Sequence, residues 1–143
     1  MIEGGSIDHA SHSSDINRMT REVVEFNNAV QAVLTWMQGR NDTLLIITAD
    51  HDTGGTIVTN NGAGNYPTAT WTSPGGHNAN NVPFYITGTD ANLVNQYIIG
   101  GAIDNTDVFK VMNASLNAPV PEPNATHAIL PATLFALSKW RRN

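Results

Sequence analysis

About a third of the way along the chain, Thr43-Leu44-Leu45-Ile46-Ile47-Thr48-Ala49 is an almost unbroken apolar run rich in β-branched residues. Such a run suits a strand covered on both faces and fits poorly on a half-solvated surface. It therefore predicts an α/β arrangement with this strand near the centre of a sheet. The run stops at Asp50-His51, and in open α/β sheets the carboxyl edge of the strands is where ligands bind. The same position allows a plainer role, with Asp50 capping a turn and His51 hydrogen-bonded to it.

The flanking segments fit that plan. Met19, Val23, Phe26, Val30, Val33 and Met37 recur at steps of three and four, the stripe of an amphipathic helix from about Asp15 to Gln38, with Gly39 placed as its C-cap glycine. After the turn Asp52-Thr53-Gly54-Gly55, Thr56–Thr59 reads as a short strand and residues 60–81 as a long polar loop. Val82–Gly88 reads as a strand opening on proline, followed by helices near 91–99 and 105–113. Beyond Ala114, residues 114–124 form a proline-containing linker and residues 125–143 an apolar stretch with a basic end. The apolar part, Ala125 to Leu137, is thirteen residues long, too short for a membrane span.

Charge narrows the partners. The formal charge is −5, but residues 1–137 hold four basic against twelve acidic groups, a net −8. A body of this kind offers no basic face to neutralise a phosphate backbone, so nucleic acid is not an expected partner. With no cysteine in the sequence, disulfides, thiolate metal sites and cysteine nucleophiles are excluded. The opening residues do not read as a signal peptide, because Glu3 and Asp8 interrupt what would have to be a basic and then apolar leader.

The remaining acidic and imidazole groups suggest cation binding. Asp8 and His12 are four apart, so on a helix both project from one face, and carboxylate oxygen with imidazole nitrogen suits zinc. Taken alone, such a pair equally describes a solvated helix surface. His77 follows Gly75-Gly76, which lets the backbone approach closely. Together, Glu3, Asp8, His12, Asp50, His51 and His77 form a hard and borderline ligand set for more than one divalent cation. Two cations about 3.5–4 Å apart would clamp the attacking and leaving oxygens of an in-line phosphoryl displacement.

Four blocks in order carry a resemblance: Ile2-Glu3-Gly4-Gly5-Ser6-Ile7-Asp8 with His12; Thr48-Ala49-Asp50-His51-Asp52-Thr53-Gly54-Gly55; Gly76-His77 followed by Val82-Pro83; and Asp104-Asn105-Thr106-Asp107-Val108-Phe109. Over residues 1–113 the chain resembles the C-terminal portion of alkaline phosphatases. The resemblance implies part of a three-layer α/β sandwich with a central, mostly parallel sheet, its N-terminal part missing. Met1-Ile2 would be the end of a core strand. Asp8, His12 and His77 would bind one zinc, Asp50 and His51 a second, and Glu3 one magnesium. The implied reaction is hydrolysis of phosphate monoesters through a phosphoserine intermediate, and a homodimer is an assembly it allows.

The family's nucleophilic serine has no match here, since Ser6, Ser11, Ser13 and Ser14 do not fit its motif. The chain alone is therefore expected to be inactive. Two other readings are a phosphodiesterase or sulfatase-like member of the same superfamily, and a non-catalytic exported module that binds metal. Val120-Pro121-Glu122-Pro123, the apolar stretch and Arg141-Arg142 resemble a PEP-CTERM sorting signal. That implies export in a Gram-negative bacterium, to the periplasm or cell surface, and processing by an exosortase.

Overall fold

The computed structural model describes residues 1–119 and the backbone of 138–139. In chain order the elements are helix α1 (Ser6–His12), helix α2 (Ile16–Trp36), and strands β1 (Leu44–Thr48), β2 (Asp52–Thr53), β3 (Thr56–Thr59), β4 (Thr68–Trp71), β5 (His77–Asn78) and β6 (Phe84–Gly88). A 3-10 helix at Ala91–Gln96, strand β7 (Ile103–Asp104), helix α3 (Asn105–Leu116) and strand β8 (Ser138–Lys139) complete them. Contacts divide the chain into two compact units: Met1–Gln38 with His51–Asn80, and Gly39–Asp50 with the described residues from Asn81 onward.

In the first unit α1 packs against α2, burying Ala10 and Met19. Asp15 caps α2 by accepting a hydrogen bond from the Arg18 amide at 3.0 Å, which satisfies one of the free N–H groups of the first turn. The helix ends at Trp36, and Gly39 adopts φ +76° just beyond it, the left-handed turn that the sequence anticipates. Of the apolar stripe only Met19 is buried, while Val23 stays about half exposed at 46%.

Residues 60–81, read from sequence as a loop, contain two strands. β4 pairs antiparallel with β3, and β5 pairs antiparallel with β2, setting His77 opposite Thr53 and Asn78 opposite Asp52. The alternation in Thr68-Ala69-Thr70-Trp71 is too weakly apolar to announce a strand, so pairing with β3 decides the outcome. Gly54 and Gly55 turn β2 into β3 with φ of +76° and +59°. A Cβ at Gly54 would lie 2.6 Å from Trp71 Cδ1, and one at Gly55 would collide with the Thr72 hydroxyl. Side chains are thus excluded here both by φ and by space.

In the second unit β1 pairs with β6, antiparallel, from Leu44 opposite Gly88 to Thr48 opposite Phe84. Phe84, Ile86, Val94, Ile103 and Val111 form the buried core, with Leu44 and Ile46 of β1 packed against it. Burying each such side chain contributes about 1.5–3 kcal/mol. α3 is capped by Asp104, which accepts from the Thr106 amide at 2.9 Å, and runs to Leu116 rather than to Asn113.

The expected central, mostly parallel sheet is corrected. Among the described residues the α/β elements form small sheets of two strands, antiparallel except for the pairing of β7 with the β8 backbone. An apolar run specifies faces that avoid water, but neither strand direction nor the number of neighbours. β1 is accordingly half-buried along most of its length. Met1 and Ile2 are exposed and belong to no strand, so the reading of a strand end there is also corrected. A strand needs a paired neighbour, which these residues lack in the described structure. No helix of the described residues is long and apolar enough to cross a membrane. Residues 120–137 and 140–143, which hold Val120–Pro123, the apolar stretch and Arg141-Arg142, lie outside the described residues.

Candidate metal centre

All of the close geometry lies in the first unit. α1 projects Asp8 and His12 from one face, as their spacing requires, and their Oδ1 and Nε2 atoms are 3.4 Å apart. The β2–β5 pairing carries His77 to the same place: its Nε2 is 3.7 Å from Asp8 Oδ1 and 3.0 Å from His12 Nε2. Among the described residues these three form a group whose donor atoms all converge.

The hydrogen bonds around them fix which nitrogens are bare. His12 Nδ1 lies 3.1 Å from the Gly75 carbonyl. A carbonyl only accepts, so Nδ1 carries the proton, and in the neutral ring Nε2 is left as a lone pair facing Asp8 and His77. The His51 ring stacks on His77 with centroids 3.6 Å apart, holding the plane of that imidazole. Thr53 donates its hydroxyl proton to Asp8 Oδ1 at 2.5 Å.

Asp8 titrates below the ordinary carboxylate value. Its partial burial opposes ionisation, but the Thr53 hydrogen bond and the neighbouring His12, His51 and His77 outweigh it. A carboxylate held ionised beside a bare imidazole nitrogen is a donor set that suits zinc. Four-coordinate zinc at about 2.0–2.1 Å from each ligand places neighbouring donors about 3.3 Å apart. The observed 3.0, 3.4 and 3.7 Å bracket that spacing.

The other residues anticipated as ligands are placed differently. His51 lies beside the group, its Nδ1 3.2 Å from the Thr53 hydroxyl. Asp50 is exposed just past the end of β1 and belongs to the second unit. Glu3 is exposed ahead of α1, where it lines a shallow pocket with Glu22, Glu25 and Phe26.

Sequence reasoning missed the supports. Ser11, 4% exposed, donates to the Thr53 carbonyl at 2.9 Å, and Thr56 donates to the same carbonyl at 2.8 Å. Trp71 Nε1 donates to the Ser11 hydroxyl at 3.3 Å. Asp52 Oδ2 accepts from the Gly55 amide at 3.0 Å, Asn78 Nδ2 at 3.2 Å and Asn80 Nδ2 at 3.1 Å, tying the glycine turn to β5. One signal was available: His51 and Thr53 are two apart in an extended segment and share a face.

The "Alkaline phosphatase" family model matches residues 1–73, half of the chain. The chain belongs to the alkaline phosphatase family. It is similar to the repressible alkaline phosphatase of Saccharomyces cerevisiae, 39% identical over 72 residues, which cover 50% of this chain and 13% of that one. Alkaline phosphatase 4 of Bacillus subtilis is 39% identical over 66 residues, 46% of this chain and 14% of that one. A solved mutant of TAB5 alkaline phosphatase with magnesium bound in its M3 site superposes with a TM-score of 0.52 at 28% identity, covering 62% of this chain and 28% of that chain. This alkaline phosphatase family chain thus spans about an eighth of the length of the yeast relative.

Proposed function

We propose that this chain supplies part of the metal centre of an enzyme that hydrolyses phosphate monoesters. The convergence of Asp8 Oδ1, His12 Nε2 and His77 Nε2 at zinc-ligand spacing carries the reading, and membership of the alkaline phosphatase family supports it. In this proposal those three residues hold one zinc, Asp50 and His51 hold a second, and Glu3 serves a magnesium. When bound, zinc supplies Lewis-acid polarisation of a phosphoryl oxygen and lowers the pKa of a coordinated water.

The chain's own residues orient that chemistry. Thr53 fixes the carboxylate of Asp8, the Gly75 carbonyl fixes the tautomer of His12, and stacking on His51 fixes the ring of His77. Three protein ligands leave a zinc position open to water or substrate. The nucleophile of the proposed phosphoserine route comes from elsewhere in the enzyme. Ser11, the serine buried beside this group, commits its hydroxyl to the Thr53 carbonyl. The chain alone therefore does not turn over. Export to the periplasm or cell surface, exosortase processing of the tail and a homodimer belong to the same proposal.

The test is a chimera in which this chain's matched segment replaces its counterpart in the Bacillus subtilis enzyme. The chimera is expected to hydrolyse p-nitrophenyl phosphate in a zinc-dependent manner, while the isolated chain does not. A folded, zinc-loaded chimera without activity would overturn the proposal, as would ordinary enzyme rates from the isolated chain.

A further inference from the structure

Thr53 touches two of the proposed ligands with one hydroxyl. Its Oγ1 lies 2.5 Å from Asp8 Oδ1 and 3.2 Å from His51 Nδ1. A hydroxyl has a single proton to give, and an ionised carboxylate can only accept, so that proton goes to Asp8. Towards His51 the oxygen is then an acceptor, which requires a hydrogen on Nδ1. In the neutral ring Nε2 is left bare, the nitrogen available to a metal.

The threonine is itself held in place. It is 7% exposed, its carbonyl accepts from both Ser11 and Thr56, and its backbone pairs opposite His77. Its backbone is thus held by groups other than Asp8 and His51, and its hydroxyl meets those two from that fixed position.

We propose that Thr53 is a positioning residue that fixes the Asp8 carboxylate and the His51 tautomer together, linking the ligand groups of the two zinc sites. The proposal rests on the preceding reading only in treating Asp8 and His51 as ligands. Its test compares the chain with Thr53→Val, which keeps the shape without the hydroxyl, and Thr53→Ser, which keeps the hydroxyl. Circular dichroism checks that each is folded.

Long-range proton–nitrogen NMR of the zinc-free chain, at a pH where the imidazole is neutral, reports the His51 tautomer. Zinc titration reports affinity. The parent and Thr53→Ser are expected to carry the hydrogen on Nδ1. Thr53→Val should move population to the Nε2–H form and weaken zinc binding about 10–100-fold, the usual cost of losing a partner of a metal ligand. An unchanged tautomer in Thr53→Val would overturn the proposal, and so would a Thr53→Ser variant as impaired as Thr53→Val. Failure of the parent chain to bind zinc would contradict the metal reading, whereas the tautomer comparison judges Thr53 independently of it.

Discussion

His12 and His77, sixty-five positions apart, bring their Nε2 atoms to 3.0 Å of each other, with Asp8 Oδ1 within 3.7 Å of both. Two imidazole nitrogens this close need either a proton or a cation between them. Replacing either histidine by alanine should weaken zinc binding by more than about 100-fold, beyond the range typical of a residue that only supports a ligand. Because both act on one ion, the double variant should lose little more than either single one. Isothermal titration with zinc on the three variants checks this.

Zinc binding should weaken as the pH falls below neutrality. The ion must displace protons from imidazole, and that competition grows with acidity. Asp8 does not contribute to this mild-acid loss. Its folded value lies below the ordinary carboxylate value, so its stabilising effect is present above the unfolded value and disappears only as pH falls through the lower folded one. Competition with a chromophoric chelator across neutral and mildly acidic pH would measure the loss, and Asp8→Asn should leave its midpoint in place while lowering affinity throughout.

Ser11→Ala should destabilise the first unit by about 1–3 kcal/mol. The change leaves the partly buried Trp71 indole N–H without its acceptor and takes one of two donors from the Thr53 carbonyl. Urea unfolding followed by tryptophan fluorescence reads this directly.

Gly54→Ala should be worse than an ordinary surface change, since φ is +76° and the added methyl meets the Trp71 ring. The backbone term alone is about 1–3 kcal/mol. The turn also holds Thr53, so zinc affinity should fall with stability, which thermal unfolding with and without zinc would show.

Much of the local structure was legible because it rests on local rules. The three-to-four-residue stripe gave α2, the apolar run gave β1, and the four-residue spacing put Asp8 beside His12. What could not be read depends on pairing. Nothing in the sequence around His77 says that it lies across from Thr53, because that register follows from the Gly54-Gly55 turn and the short β2–β5 ladder. Strand direction was misjudged for the same reason: β1 has an apolar sequence that would serve a parallel or an antiparallel neighbour equally, and β6 is antiparallel. The supports of the site, Ser11, Thr53, Asp52 and Trp71, are common polar or aromatic residues whose roles exist only once the strands are paired.

The central claim is that Asp8, His12 and His77 hold one zinc ion. X-ray absorption at the zinc K-edge, on the chain loaded with one equivalent of zinc, tests it most directly. The account predicts a four-coordinate ion with nitrogen and oxygen donors at about 2.0–2.2 Å, scattering from two imidazole rings, and the loss of one ring's contribution in His77→Ala. A spectrum without imidazole scattering, or one unchanged by His77→Ala, would contradict it.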